Sequence, residues 1–594
     1  VASLAGTLAE ATYAGTPARL LDAGTPRPIT RTVELALQDG RFRIVRMAAL
    51  GAGTAVAAPT VSARLARAAA AGLAGVRVRD VAREVGLDFR QSAFRFGVSA
   101  DPVAMMGTGL CWIDYDGDGW LDLFVVNSYA NADIGVWDRR GGLPRTALFH
   151  NVRGRFVDVS RAAHADLPLH GTGCVAADLN GDGRTDLYVS TGADDKLLWN
   201  DGDGTFSEGA RAAGVVSFGW HSGAAVADVN LDGRPDLFVA GYTDVNAPVP
   251  ASMAGFPSNH AAVRDLLFLN EGTGPTGRAR FREVGVQAGL ESTRLEHGLG
   301  AVFTDVNGDG RPDLYVANDE DPNRLYLNEP RRDGLGFRFV ERAAAEGVAD
   351  PNAGMGVAAA DVNGDGRPDL FVSNNRRQEH AAFWSRRGGG RLYADARPGF
   401  AAAFGGRYAG WGASWVDLDR DGHLDLVLAN GNIPVTNLRR DAGPVQVLEN
   451  LAGEGLAGRF ADAGRVVGLD RLPRIDGRGV AAADFDNDGS VEVAVSSVGG
   501  RLLLLKATGA RGHWLEVALQ GFHPGAVVTA VLPDGRRLTR EVQAGSSYLS
   551  SEDPRLAFGL GSATRVRALV VRYPDGRTTR LRDVAVDRIL RVGG

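Results

Sequence analysis

From about residue 88 to residue 508 the chain is written in short runs of alternating apolar and polar residues, each stopped by glycine or by an Asp-Gly turn. A period of two marks strands with one buried face. The runs keep a fixed order. A Gly-x-Gly pair opens a short apolar strand, an acidic turn follows, and a Leu-Phe-Val type strand comes next. A third strand such as Ala147–Asn151, Leu197–Asn200 or Leu325–Asn328 and a Gly-aromatic fourth, as in Gly204-Thr-Phe206, complete the unit. The acidic turns begin at Asp114, Asp178, Asp228, Asp305, Asp361, Asp417 and Asp484. Repetition of this kind means one supersecondary unit copied along the chain, and four short strands per unit make a propeller blade. The pattern predicts an all-β fold whose body, residues 88–508, is a seven-bladed β-propeller. In six copies the glycine pair opens seven residues before the first aspartate, at Gly107, Gly171, Gly298, Gly354, Gly410 and Gly477, and in the third His221 takes the first glycine's place. Glycine there has a steric reason, because the innermost backbones converge on the ring axis.

The flanks do not repeat. Residues 1–87 read as a short mixed α/β cap: Thr30 to Met47 alternates on both sides of Gln38-Asp39-Gly40, which predicts a hairpin, and alanine-rich Ser62 to Val85 suits a helix. A ring must close on itself, and Phe89, Phe94 and Phe96 resemble a blade's last strand, so residues near 88–97 are expected to pair with the blade containing Asp484. The polar insertion from Gly241 to Asp265 is expected on a loop at one face. Residues 509–594, with strand alternation around Pro533-Asp-Gly535 and Pro574-Asp-Gly576, form a separate small β domain.

Each acidic turn reads D-x-[DN]-x-D-G-x-x-[DE]. Oxygen donors at positions 1, 3, 5 and 9, with a glycine at 6 for the sharp turn, are the ligand spacing of an EF-hand-like calcium loop, here built on a hairpin. The expected ligands are Asp114, Asp116, Asp118 and Asp122 in loop one, Asp178, Asn180, Asp182 and Asp186 in loop two, and Asp228, Asn230, Asp232 and Asp236 in loop three. Loop four offers Asp305, Asn307, Asp309 and Asp313, loop five Asp361, Asn363, Asp365 and Asp369, loop six Asp417, Asp419, Asp421 and Asp425, and loop seven Asp484, Asp486, Asp488 and Glu492. A set without His or Cys favours Ca2+ over zinc, up to seven ions in all, and the crowded carboxylates repel one another until a cation arrives. The alternative is a set of Asp-Gly turns that need no ion. Loops two to five carry Asn at position 3, which lowers ligand charge and affinity. Glu492 is longer than aspartate, so loop seven is expected to differ in geometry or occupancy.

On these residues the repeats resemble the FG-GAP/VCBS type found in integrin α-chain propellers and secreted bacterial proteins, Gly354 to Leu370 most closely. The tail, with Gly512-His-Trp-Leu515, Ala544-Gly-Ser-Ser-Tyr-Leu-Ser550, Leu556 to Gly561 and Val571-Arg-Tyr-Pro-Asp-Gly576, is similar to the ASPIC/UnbV domain of the cartilage acidic protein family. Members usually carry a longer segment where this chain has Gly521 to Ala526. The resemblance implies an extracellular, calcium-bearing propeller and implies no reaction.

Composition changes the picture in a few places. The seven loops hold 24 of the 71 acidic residues, so seven divalent ions would move the formal charge from −6 to +8 and favour anionic partners. Nearly all the basic residues are arginine, with lysine only at 196 and 506. Cys111 and Cys174 read first as two buried thiols and second as a bridge between adjacent blades. No apolar run reaches the ~18 residues of a membrane-spanning helix. Neither a metalloprotease His pair nor a serine nucleophile elbow is present, and no basic-aromatic array points to nucleic acid. His221, beside Trp220, is a packed residue or a channel group. Arg407, Tyr408 and Trp411 are blade packing or a sugar platform.

The sequence thus predicts a non-catalytic, calcium-binding interaction or adhesion module, secreted, at the cell surface or in the periplasm. Its expected partner is a protein, a glycan or further copies of itself. The competing reading is a polysaccharide lyase or hydrolase at the channel mouth. A Tyr/His/Arg/carboxylate cluster on one face, away from the loops, would mark it.

Overall fold

The computed structural model describes residues 72–593, apart from 218, 251, 253–254, 291–294, 402 and 405–406, together with the backbone of five strands between residues 2 and 49. Residues 1–64 and 65–594 are two compact units. In the first, Arg31–Gln38 pairs antiparallel with Arg41–Ala49, and Gln38 faces Arg41, so the two strands of the expected hairpin form. The helix expected over Ser62 to Val85 lies partly outside the described residues. Where it is described, Arg77–Asp80 is a strand instead.

Among the described residues of the second unit, seven four-stranded antiparallel sheets follow one another. The first contains Leu110–Ile113, Asp122–Val125, Ala147–Asn151 and Phe156–Asp158. Five more repeat that order, starting from Gly171–Ala177, His221–Ala227, Gly298–Thr304, Gly354–Ala360 and Gly410–Val416. The seventh takes Gly477–Ala483, Glu492–Ser497 and Leu503–Thr508, and its fourth strand is Arg77–Asp80. Each first strand touches the first strand of the next sheet, and the seventh touches the first, so the sheets close into a propeller-like ring.

The closing strand therefore comes from Arg77–Asp80 and not from residues 88–97. Val78 drops into the apolar layer with Leu505, Ala507 and Val447, while Phe94 adopts φ +59°, which a strand residue cannot. The 88–97 segment instead caps the turn of the seventh sheet, with Arg90 bridging Arg501 and the Leu502 amide donating to the Phe89 carbonyl at 3.1 Å. Between sheets the core is continuous: Leu110, Trp112 and Leu123 of the first interleave with Ala481, Ala494 and Leu504 of the seventh. Burial of each large apolar side chain stabilises the ring by about 1.5–3 kcal/mol. The 241–265 insertion carries a hairpin of Thr243–Pro248 and His260–Ala262.

Cys111 and Cys174 form a disulfide rather than two free thiols, with Cα atoms 6.2 Å apart. They stand on the first strands of neighbouring sheets, where the convergence toward the axis brings backbones within bridging reach.

The tail is two packed sheets. One pairs Leu556–Gly561, His513–Leu519 and Arg588–Val592, and the other runs Arg537–Glu541, Val527–Val531, Arg565–Arg572 and Thr578–Ala585. Leu515, Val517, Val528, Leu560 and Leu569 close its core. Between Arg537–Glu541 and Leu556–Gly561 the chain leaves the tail and enters the ring. Ala544 bridges Val226, Ser547 bridges Val357 and Ser551 bridges Cys111. The Leu549 carbonyl accepts from the Cys174 amide (3.1 Å), the Ser547 hydroxyl from the Ala413 amide (3.0 Å), and the Asp553 amide donates to Ala482 (3.0 Å). Tyr548 is fully buried among Met106, Trp220, Leu299 and Trp411, and its hydroxyl donates to the Met106 carbonyl at 3.1 Å. The glycines at the heads of the first strands make room for this plug, since a Cβ on Gly109 would lie 1.6 Å from the Leu549 carbonyl oxygen. Ser547 and Leu549 sit at φ +60° and +56°, strained conformations that persist because their surroundings over-determine them.

Candidate functional site

Each acidic turn joins the first two strands of a sheet, so all seven lie at equivalent corners of the ring. Local chemistry shapes them before any ion is considered. In loop two the Asp178 carboxylate accepts from the amides of Gly181, Asp182 and Gly183 at 2.8, 3.1 and 2.8 Å, and Asp305 does the same in loop four. A position-1 carboxylate that collects several amides winds the turn around itself. Glycine at position 6 is needed because the turn runs through positive φ there, as at Gly183 (+83°) and Gly310 (+85°).

The position-9 acids do a second job. Asp122, Asp186, Asp236, Asp313 and Asp369 are inaccessible to solvent. In each, one oxygen accepts the position-2 amide and the other the amide at the end of strand three, as with Leu179 (3.1 Å) and Asn200 (2.8 Å) on Asp186. Asp425 likewise takes Leu418 and Asn450. The strand-three asparagines then reach the preceding sheet: Asn200 Nδ2 donates to the Tyr115 carbonyl at 2.7 Å, Asn270 to Leu179 at 2.8 Å, Asn328 to Val229 at 2.8 Å, and Asn151 to Phe485 at 2.7 Å across the closure. Loop geometry and sheet-to-sheet spacing are thus one hydrogen-bonded system.

Electrostatically the loops are unbalanced. Burial pushes Asp122, Asp186 and Asp313 up to about 8 and Asp369 to about 7, and it raises Asp236, Asp417 and Asp425 well above the usual carboxylate range. Burial likewise raises the position-1 acids Asp114, Asp178, Asp228, Asp305 and Asp361. One oxygen of Asp114 and one of Asp361 are buried with no hydrogen-bond partner. In loops one, six and seven the acids at positions 1, 3 and 5 bring an oxygen each within 4.8 Å of the others. In loops two and three, Arg184 and Arg234 pair with Asp182 and Asp232, but these pairs are half-exposed and hold the carboxylates weakly. Crowded carboxylates of this kind, the position-9 acid buried and the others nearer the surface, fit a hard cation.

Loop seven is different. The Lys506 ammonium lies 2.6 Å from Asp486, 2.8 Å from Asp488 and 2.9 Å from Glu492. Burial works against its charge, but Glu492 and the two aspartates outweigh burial and raise its pKa. Lys506 follows the strand-three residue paired with Val493. The same register position is His150, Trp199, Leu269, Leu327, Trp384 and Glu449 in the first six sheets. The three loops with an acid at position 3 therefore have an ionisable residue at this position, and the four with Asn have Trp or Leu. His150 Nδ1 is 3.1 Å from Asp122 and 3.6 Å from Asp116. Glu449 is buried with one oxygen unpartnered, and burial together with Asp419 raises it to about 8. These three residues were not singled out from the sequence. The signal available was the pairing register, and in Lys506 one of only two lysines.

The tail reaches the same face. Arg555 pairs with Asp553 (2.8 Å) and Glu516 (3.1 Å) and donates to the Asp484 carbonyl at 2.6 Å. Arg540 is half-buried near Asp361 and Asp417, and desolvation lowers its pKa against their pull. Of the other residues raised from sequence, His221 is packed, with Nδ1 3.6 Å from Asp195, and burial lowers its pKa. Trp411 is fully buried against Tyr548, its Nε1 donates to the Gly431 carbonyl, and the Arg478 guanidinium stacks 3.8 Å over its ring. It offers no face to a sugar. Tyr408 is partly exposed beside Arg474, and Arg407 is exposed. The ring also contains a Tyr/His/carboxylate group in which Tyr242 donates to Asp319 at 2.7 Å and His297 bonds Asp321 at 2.8 Å. All four are at least nine-tenths buried.

A model of the ASPIC and UnbV family matches residues 520–593, an FG-GAP-like repeat model matches 114–189, 178–239 and 305–372, and an FG-GAP repeat model matches 353–393. Cartilage acidic protein 1 of Homo sapiens is 28% identical over 319 residues, 51% of this chain and 44% of the relative. That of Xenopus tropicalis is 31% identical over 172 residues, 28% of this chain and 25% of the relative. The chain thus spans less than half the length of these relatives. Among solved structures, the rhamnogalacturonan lyase YesX is similar at a TM-score of 0.38 and 14% identity, covering 83% of each chain. An Agrocybe aegerita lectin specific for non-reducing terminal N-acetylglucosamine is similar at 0.34 and 20%, covering 60% of this chain and 82% of its own. Among the described residues, no helix is long and apolar enough to cross a membrane. With the repeat models lying on the acidic loops and the ASPIC/UnbV model on the domain that plugs the ring, the chain is an FG-GAP repeat protein with a C-terminal ASPIC/UnbV domain, related to cartilage acidic protein 1.

Proposed function

We propose that this chain is a non-catalytic, calcium-stiffened ring that works outside the cytoplasm as an interaction module, presenting its loop faces to a protein, a glycan or further copies of itself. The observation that carries the reading is Lys506. In loop seven a built-in ammonium sits on the oxygens of positions 3, 5 and 9, and the other six loops present oxygens at those positions with no ammonium among them. On this reading calcium occupies loops one to six, through positions 1, 3, 5 and 9, and loop seven keeps its own ammonium. Bound calcium would supply charge neutralisation, and through the position-9 acids and the strand-three asparagines it would stiffen the ring.

The Cys111–Cys174 disulfide supports an oxidising compartment, since such bonds are rare in reducing cytosol. The plug at residues 544–551 weighs against chemistry inside the channel, because Tyr548 and Leu549 occupy the axis where a substrate would enter. Equilibrium dialysis of the purified chain, with metal analysis, tests the assignment. About six calcium ions per chain are expected at millimolar calcium, together with a higher melting temperature than in chelator. A chain that binds none under those conditions sinks the reading.

A further inference from the structure

One face of the tail's four-stranded sheet has a basic pattern. Read across the strands, Arg537, Val531, Ala568 and Arg582 form one row, and Thr539, Thr529, Val570 and Arg580 form the next. Short side chains make the floor and arginines on the edge strands make the rims. Edge strands three spacings apart put those rims roughly 14 Å from one another. Arg567 and Arg572 extend the basic set along the third strand, and Arg367 and Arg387 close the groove from the fifth sheet of the ring. The groove encloses about 700 Å³ and has neither an acidic nor an aromatic side chain in its lining.

Arginine is the ordinary basic residue of this chain, so number alone decides nothing. Two arginines beside this very sheet are ion-paired, Arg536 with Asp534 and Arg577 with Asp575. Among the described residues none of the seven groove arginines pairs with a carboxylate, and the acid nearest in register, Glu541, is turned away to the Thr304 hydroxyl. Seven like charges facing one trough repel one another until an anion enters. The rims are too far apart for the whole set to hold one phosphate-sized ion, so the complement is an extended polyanion. Single-stranded nucleic acid is held in large part by aromatic stacking on its bases, and this lining offers no ring.

We propose that the groove binds an acidic polysaccharide, a chain of sulfated or uronic sugars lying between the tail sheet and the fifth sheet of the ring. The proposal supplies a partner class for the interaction module and rests on that reading for its setting, while its site is distinct from the ion loops. Gly308 of loop four and Gly366 of loop five line the groove's edge. An ion in either loop cancels acids beside the arginines, so binding is tighter with calcium than without.

Titration of the full chain with heparin and with polygalacturonate, in calcium and in chelator, provides the test. At least one polymer binds in calcium, more weakly as salt rises. The exposed pair Arg580→Glu with Arg582→Glu weakens it at least tenfold, leaving calcium content and melting temperature as in the parent, and Arg580→Lys with Arg582→Lys retains most of the binding. Failure of both polymers to bind, indifference to charge reversal, or equal affinity for a single-stranded oligonucleotide overturns the proposal. A chain that holds no calcium but still binds heparin through these arginines refutes the calcium reading and leaves the groove standing.

Discussion

Replacing Lys506 with methionine keeps the aliphatic stem and deletes the charge that three carboxylates share. The contacts differ in weight. Glu492 is inaccessible to solvent, Asp486 is 27% exposed and Asp488 46%, while the lysine side chain itself is 14% exposed. Breaking the buried Glu492 pair costs about 3–5 kcal/mol, because it leaves an uncompensated buried charge. The Asp488 pair, near the surface, adds about 0–1 kcal/mol. In chelator Lys506→Met should therefore lose about 3–5 kcal/mol in urea unfolding. The same deletion frees the carboxylates of Asp486, Asp488 and Glu492, which join Asp484 as four candidate ligands. For a site with a dissociation constant of order 10⁻⁵ M in about 1 mM calcium, binding returns about 2.7 kcal/mol. The variant should thus be strongly calcium-dependent and bind one more ion per chain than the parent. Terbium should report the new site by energy transfer from Trp514, whose ring packs on Gly489 of that loop. A parent that already holds seven ions, or a variant equally stable in both conditions with an unchanged count, would refute the assignment of Lys506 as the resident cation.

Removing the disulfide by Cys111→Ala with Cys174→Ala releases a 63-residue loop, for which chain entropy gives about 4 kcal/mol, so the midpoint of denaturant unfolding should fall accordingly. Tyr548→Ala empties the centre of the plug and should cost about 3–5 kcal/mol, with ring and tail then melting in separate calorimetric transitions rather than one. In chelator, stability should fall as pH rises from about 4 to about 8. Asp122, Asp186 and Asp313 hold protons in the folded state up to about 8 but release them near 4 when unfolded, so the folded state binds more protons across that window. Calcium displaces those protons, so melting curves in millimolar calcium should lose this decline.

The acidic loops were legible in the sequence because their chemistry is local. A carboxylate at position 1 gathers amides three to five residues away, and a glycine at position 6 permits the positive φ, whatever surrounds them. The blade pattern was legible for the same reason, since a period of two is set by the strand itself. The closing strand was misplaced by about ten residues because the expectation rested on the aromatic residues Phe89, Phe94 and Phe96, whereas Arg77–Asp80 carries none. Only the buried slot for Val78 and the turn at Phe94 separate the two segments.

Residue types and spacings alone were enough to establish a repeated hairpin rich in carboxylates, and hence an all-β chain with a distinct tail. Tertiary structure alone decided which groups meet across hundreds of residues. It joined Cys111 to Cys174, ran residues 544–551 through the ring, and brought five tail arginines opposite Arg367 and Arg387. It also decided that one of the seven loops would be filled by a lysine. The physical reason is range: backbone turns and strand periods are settled by neighbours a few residues apart, whereas burial, charge pairing and plugging depend on the packing of the finished ring.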